Sequence, residues 1–224
     1  MNAYIYCLND DKRLNIRAGG RAFLADTFAG PFLSYKGSNS EWIVTRAKQY
    51  HKHDMLFFPI NIPHTHWYLC VINARLRTIQ ILDSLGPSNN DRLELKQTIR
   101  GLEHYLDMAA HDMGPQETKW KDYRVTTWPW SEEVKSAIQK DTGSCGLFTL
   151  KFMECWTGFA LRPKFAQQDI DHFRLKLAVI LVNSHLNKIK ESPGSRSKED
   201  DAKPDNLGED QHVDIDSDGI TPTL

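Results

Sequence analysis

The sequence predicts an α+β domain, a small central mixed or antiparallel sheet flanked by helices, followed by a disordered acidic tail. Three observations predict it. Two runs of β-branched, aromatic and aliphatic residues, 66–72 and 77–83, flank a short polar connection and read as a hairpin. Apolar residues at three- and four-residue steps mark helices near 147–156 and 170–187, the spacing that lines one helical face. Between Glu191 and Leu224 stand ten acidic and three basic residues, with too few large apolar side chains to offset the entropy of folding. The expected division is therefore a domain over 1–190 and a tail over 191–224.

Along the domain, Tyr4, Ile5, Cys7 and Leu8 lie at helical spacing, with no capping residue before them, so this first helix reads as cut off. Segments 21–28 and 40–50 are expected to be helical, Trp42, Ile43 and Ala47 sharing a buried face. Met55–Ile60 is an apolar strand leading through Pro63 to His66. The hairpin follows, then a helix marked by Leu95, Ile99, Leu102 and Leu106, with Asp91 near its start. Tyr123–Thr127 is expected to be a short strand before a Trp128-Pro129-Trp130 corner. Leu147, Phe148, Leu150, Phe152, Met153 and Trp156 give a buried helix ending at Gly158. Ile170, Phe173, Leu177, Ile180 and Leu181 give a long closing helix to about Asn187. Strands in one run with helices on either side make an α+β arrangement.

Composition narrows the function. The chain has 224 residues, 40% of them hydrophobic and 25% charged, enough for one full core. No apolar run reaches membrane-spanning length and no signal peptide is visible, so the expectation is an intracellular monomer without membrane contact. Cys7, Cys70, Cys145 and Cys155 show no disulfide or metal spacing, which suits a reducing compartment. The net charge of −1 hides a tail more acidic than that total, so the domain is mildly basic. That suits an acidic protein partner and is too weak for nucleic acid. His51-Lys52-His53-Asp54 and His64-Thr65-His66 are histidine-dense, and on a strand each pair would share a face. No matching cysteine or carboxylate pattern accompanies them, so metal binding is the minor alternative and no metal or cofactor is assigned.

His66, Asp83, Gln139 and Cys145 carry the chemistry: a base, its orienter, an oxyanion donor and a nucleophile. The order, with the cysteine last, argues against papain-like enzymes. A hairpin turn centred between Ala74 and Arg75 sets Ile72 opposite Arg77 and His66 opposite Asp83. Opposed residues share a face with Cβ atoms about 4.5–5.5 Å apart, the reach a carboxylate needs to hold an imidazole in one tautomer. Taken singly, His66 is as well read as a strand-edge histidine, Asp83 as a turn initiator and Cys145 as a buried thiol. Ser144 is the expected N-cap, placing Cys145 in the first helical turn, where the macrodipole favours thiolate. Gly146 leaves room for a substrate carbonyl, and Gln139 reaches back to the oxyanion.

Several motifs resemble the ubiquitin-like-protein-specific cysteine proteases, the SUMO or sentrin protease group of peptidase clan CE. They are Phe58-Pro59-Ile60-Asn61 running into His66-Trp67, Leu82-Asp83-Ser84-Leu85, Gln139-x-Asp141-x-Gly143-x-Cys145-Gly146 and Asp169-Ile170-x-x-Phe173-Arg174. The likeness covers roughly 2–188 and is similar to plant members. It implies a clan CE fold and cleavage after the terminal Gly-Gly of SUMO or another ubiquitin-like modifier, from conjugates or precursors. It also implies a nuclear or cytoplasmic setting and a tunnel wall formed by Trp67, which otherwise packs the strand. Family members usually carry a Trp-Leu-x-Asp segment before the first helix and an Asp before the nucleophile. This sequence shows no such segment before Ala3–Leu8, so the resemblance implies an N-terminally truncated domain as the expectation, and Ser144 stands at the latter position. The alternative class is a shortened member that binds a ubiquitin-like protein without cutting it.

Overall fold

A computed structural model describes residues 1–34, 41–88, 91–114, 118 and 120–188. The expected tail, 191–224, lies outside the described residues. Met1–Lys190 forms one compact unit.

Alternation of side chains across three long apolar strands builds the centre. β3 (Met55–Ile62), β4 (His66–Asn73) and β5 (Thr78–Leu82) are buried along nearly their whole length. They therefore read as continuous apolar runs, the pattern of strands covered on both faces. Leu56, Phe58, Ile60, Tyr68, Cys70, Ile72, Ile79 and Ile81 point to one face. Met55, Phe57, Leu69, Val71 and Leu82 point to the other. Each fully buried aliphatic or aromatic side chain contributes about 1.5–3 kcal/mol.

The first face is covered by α2 (Ala29–Ser34), α3 (Glu41–Tyr50) and α4 (Leu93–Met113). The second packs against α1 (Asn2–Asp10), α5 (Cys145–Cys155) and α6 (Gln167–Asn183). With β1 (Ile16–Arg17), β2 (Gly20–Leu24) and β6 (Trp130–Glu132), the sheet has six strands in the order β1-β2-β3-β4-β5-β6. β2 and β6 run parallel to their inner neighbours and the other pairs are antiparallel, so the sheet is mixed.

The α+β class, the presence of the hairpin and the helices α1, α3, α4, α5 and α6 are as expected, although α5 ends at Cys155 and not Gly158, α6 ends at Asn183 and not near Asn187, and Trp42 of α3 is exposed. Two segments differ. Residues 21–28, expected as helix, hold β2, because Ala22, Phe23 and Leu24 pair in parallel with Met55, Leu56 and Phe57. Residues 123–127 hold a 3-10 turn at Val125–Thr127, and the strand comes later, where Ile79, Gln80 and Ile81 recruit Trp130, Ser131 and Glu132. Both are pairings with distant strands, which local propensity does not encode.

Candidate active site

His66 opens β4 and Asp83 stands just past the end of β5. The hairpin pairs Leu69 with Leu82 and Asn73 with Thr78, so its turn is centred between Arg75 and Leu76. The expected direct opposition of His66 and Asp83 is thereby corrected by two residues. The turn closes later because Arg77 adopts a left-handed φ of 52° and Asn73 Oδ1 accepts the Leu76 N–H at 3.2 Å. A shift of two keeps both residues on one face. His66 and Asp83 therefore meet diagonally, Nε2–H donating to Asp83 Oδ1 at 2.7 Å. An ionised carboxylate only accepts, so this bond places the ring proton on Nε2 and leaves Nδ1 as the basic nitrogen.

Asp83 is itself held from three sides. Its Oδ1 also accepts the Leu85 N–H at 3.0 Å, and its Oδ2 accepts Arg92 Nη1 at 3.0 Å. Burial opposes ionisation of Asp83, yet the His66 ring, the Leu85 amide and Arg92 together hold its carboxyl below the usual range. Arg92, also buried, lies 4.5 Å over the Tyr68 ring and donates Nη2 to Glu132 Oε1 at 3.1 Å. The Glu132 carboxyl is raised by its own burial, against the pull of Arg92.

Gln139 adjoins this group through the next residue of the turn. Ser84 Oγ donates to Gln139 Oε1 at 2.7 Å, and the Ser84 carbonyl accepts the Gln139 N–H at 3.0 Å. Gln139 Nε2 donates to the Asp141 carbonyl at 2.7 Å and more loosely to Asp141 Oδ1 at 3.3 Å. That carboxylate organises the loop before the cysteine. It accepts the Gly143 and Ser144 amides at 3.3 and 3.0 Å and the Ser144 hydroxyl, an Asx-type turn. These donors, Ser144 first, lower the Asp141 carboxyl below its usual range.

Cys145 is the first residue of α5, as expected, and Ser144 occupies the N-cap position without capping through its side chain. Its hydroxyl instead joins Asp141 and Arg174 of α6. Two hydrogen-bonded groups, His66 with Asp83 and Ser84 with Gln139, Asp141 and Ser144, are thus joined by the covalent step from Asp83 to Ser84, and the second ends at the neighbour of Cys145. Among the described residues no hydrogen bond reaches the Cys145 thiol itself.

Trp67 is half-buried and paired with Asn61, on the face of β4 opposite His66. The space expected over Gly146 is bordered by Met1, whose Sδ lies 3.2 Å from where a Cβ would stand. The histidine-dense segment is structural at His51, which bonds the Leu106 carbonyl and the Thr118 hydroxyl. Among the described residues no cluster of three metal-ligating side chains occurs, and no helix is long and apolar enough to cross a membrane. Sequence reasoning missed Arg92, Glu132, Ser84 as a linker, and the hub role of Asp141. Arg92 sits at the N-cap of α4, where the macrodipole disfavours a cation.

Residues 33–185 match the Peptidase C48 family, described as the Ulp1 protease family, C-terminal catalytic domain. The fold is shared with solved structures at low identity. The yeast Ulp1 protease domain in complex with Smt3, the yeast ortholog of SUMO, gives a TM-score of 0.53 at 18% identity, over 80% of this chain and 72% of that one. The Chaetomium thermophilum Ulp1-like SUMO protease catalytic domain gives 0.51 at 19%, over 80% and 66%. The Xanthomonas campestris effector XopD bound to ubiquitin gives 0.50 at 20%, over 79% and 89%.

Proposed function

We propose, from the premise that this chain belongs to the Ulp1 protease family, that it is a cysteine peptidase cleaving after the terminal Gly-Gly of a ubiquitin-like modifier. The modifier of first choice is SUMO, released from a lysine isopeptide or a precursor. The observation that carries this reading is the 2.7 Å His66–Asp83 bond, with the next residue, Ser84, bonded to Gln139 and Gln139 to the loop that starts the Cys145 helix. The catalytic unit is residues 1–190, working as a monomer in nucleus or cytoplasm. Its motifs resemble plant members of the family, and plant-type membership is part of the proposal.

In the proposed reaction His66 Nδ1 takes the Cys145 proton while Asp83 holds Nε2–H. The sulfur attacks the terminal glycine carbonyl, forming a C–S bond and an oxyanion. The Gln139 side-chain amide and the Cys145 backbone N–H receive that oxyanion. Collapse breaks the C–N bond, and His66 returns its proton to the leaving amine. Water, deprotonated by His66, then splits the thioester and restores the thiol. Trp67 is assigned to one wall of the channel that admits the glycines.

A second reading, binding without cleavage, is favoured by Met1 lying against Gly146, where a substrate carbonyl would approach. A panel of ubiquitin-like precursors separates the two. Cleavage by the parent chain and none by Cys145→Ala supports the peptidase; binding of a modifier with no cleavage by either supports the second reading.

A further inference from the structure

Arg92 is the least expected group near the site. The residue is buried, 6% exposed, and holds a helix N-cap position where a cation is unfavourable. Its Nε finds no hydrogen-bond partner among the described residues. A buried ion pair of this kind adds little stability over apolar side chains of similar volume, so packing alone does not account for it. Its other nitrogens do have a clear geometric consequence. Nη1 takes Asp83 Oδ2 at 3.0 Å and Nη2 takes Glu132 Oε1 at 3.1 Å, while the plane rests on Tyr68 of β4. The guanidinium thus ties the end of β5 to β6 and to the strand that carries His66.

We infer that Arg92 is a positioning residue for the reaction: by clamping Asp83 Oδ2 against Glu132 it keeps Oδ1 on His66 Nε2 and so sets the imidazole ring. The inference rests on the peptidase reading for its catalytic consequence. A freely rotating Asp83 would exchange the His66 bond for water, and the ring would lose its tautomer and its aim. Arg92 is better suited to this than lysine, because one rigid fork serves two carboxylates at once. The charged and titratable groups around Asp83 are His66 from β4, Arg92 before α4 and, beyond Arg92, Glu132 of β6 and Lys135. Removing the cation leaves Asp83 easier to protonate.

The test compares Arg92→Lys, Arg92→Met and Arg92→Met with Glu132→Gln. The last removes both charges, so a folded chain is retained if the single Met variant collapses. Cys145 alkylation by iodoacetamide is followed against pH, with Cys7, Cys70 and Cys155 replaced, and turnover of a cleaved precursor is measured where there is one. The Met variants should show the acid limb of alkylation at higher pH. Their kcat should fall by up to about 10²-fold, the cost of a misplacement of about 1 Å, with KM unchanged. Arg92→Lys should keep the parental limb and recover part of kcat. A parental limb and parental kcat in a folded Met variant would overturn the inference, as would an equal limb shift in the Lys variant. Alkylation needs no modifier, so absence of any cleavage with the limb still moving would count against the peptidase reading alone.

Discussion

Gln139 is anchored at both ends of its amide: Oε1 accepts from Ser84, and Nε2 donates to the Asp141 carbonyl at 2.7 Å with a longer contact to Asp141 Oδ1 at 3.3 Å. Nε2 is the group assigned to the oxyanion. Gln139→Ala should lower kcat by about 10²–10³-fold with little change in KM, measured on a cleaved precursor. Asp83 gives a prediction in pH. Its carboxyl is held below the ordinary range, so its contribution to stability is present above the usual carboxylate pKa, near 3.9, and is lost as pH falls through the lower, folded value. Urea unfolding of the parent and Asp83→Asn should show a gap at neutral pH that narrows on acidification. A gap independent of pH would place the pair's value elsewhere. At this scale the His66–Asp83 contact and the place of Cys145 at a helix start were legible, because strand alternation and apolar periodicity are written in the local sequence. Arg92 and the role of Asp141 were not, since Glu132 and Arg174 lie 40 and 33 residues from them and no local pattern joins them.

The elements position the site through two close approaches. After β5 the chain turns at Gly86, whose φ of 83° is left-handed and whose Cβ would stand 2.9 Å from the Ala137 nitrogen. That contact sets the segment bearing Gln139 beside the turn bearing Asp83. Gly86→Ala combines strain with a backbone clash and should reduce both thermal stability and kcat. Gly101 lies where α4 passes α2, and a Cβ there would fall 1.6 Å from the Leu33 carbonyl oxygen. Gly101→Ala should destabilise by at least about 1–3 kcal/mol, measured by urea midpoint. Legibility at this scale followed burial pattern. α4 and α5 announce themselves by apolar periodicity, whereas β2 and β6 are short and exist through parallel pairing with β3 and β5. The hairpin lay between: its face was readable, but its register depended on the left-handed Arg77.

For the molecule as a whole, a sheet buried on both faces makes one frame on which His66, Asp83 and the Cys145 helix are carried. If 1–190 is the catalytic unit, removing 191–224 should leave kcat and the melting temperature unchanged, by assay and calorimetry. A large fall in either would move the boundary. The proposed role of Cys145, nucleophile of a Gly-Gly-directed peptidase, can be tested by intact-mass labelling. The chain is mixed with SUMO and other ubiquitin-like proteins bearing a C-terminal Gly-Gly vinyl electrophile. One adduct is expected with at least one of them, absent in Cys145→Ser and kept when Cys7, Cys70 and Cys155 are replaced together. Labelling that follows Cys70 or Cys155, or no adduct from a chain that iodoacetamide still alkylates at Cys145, would contradict it.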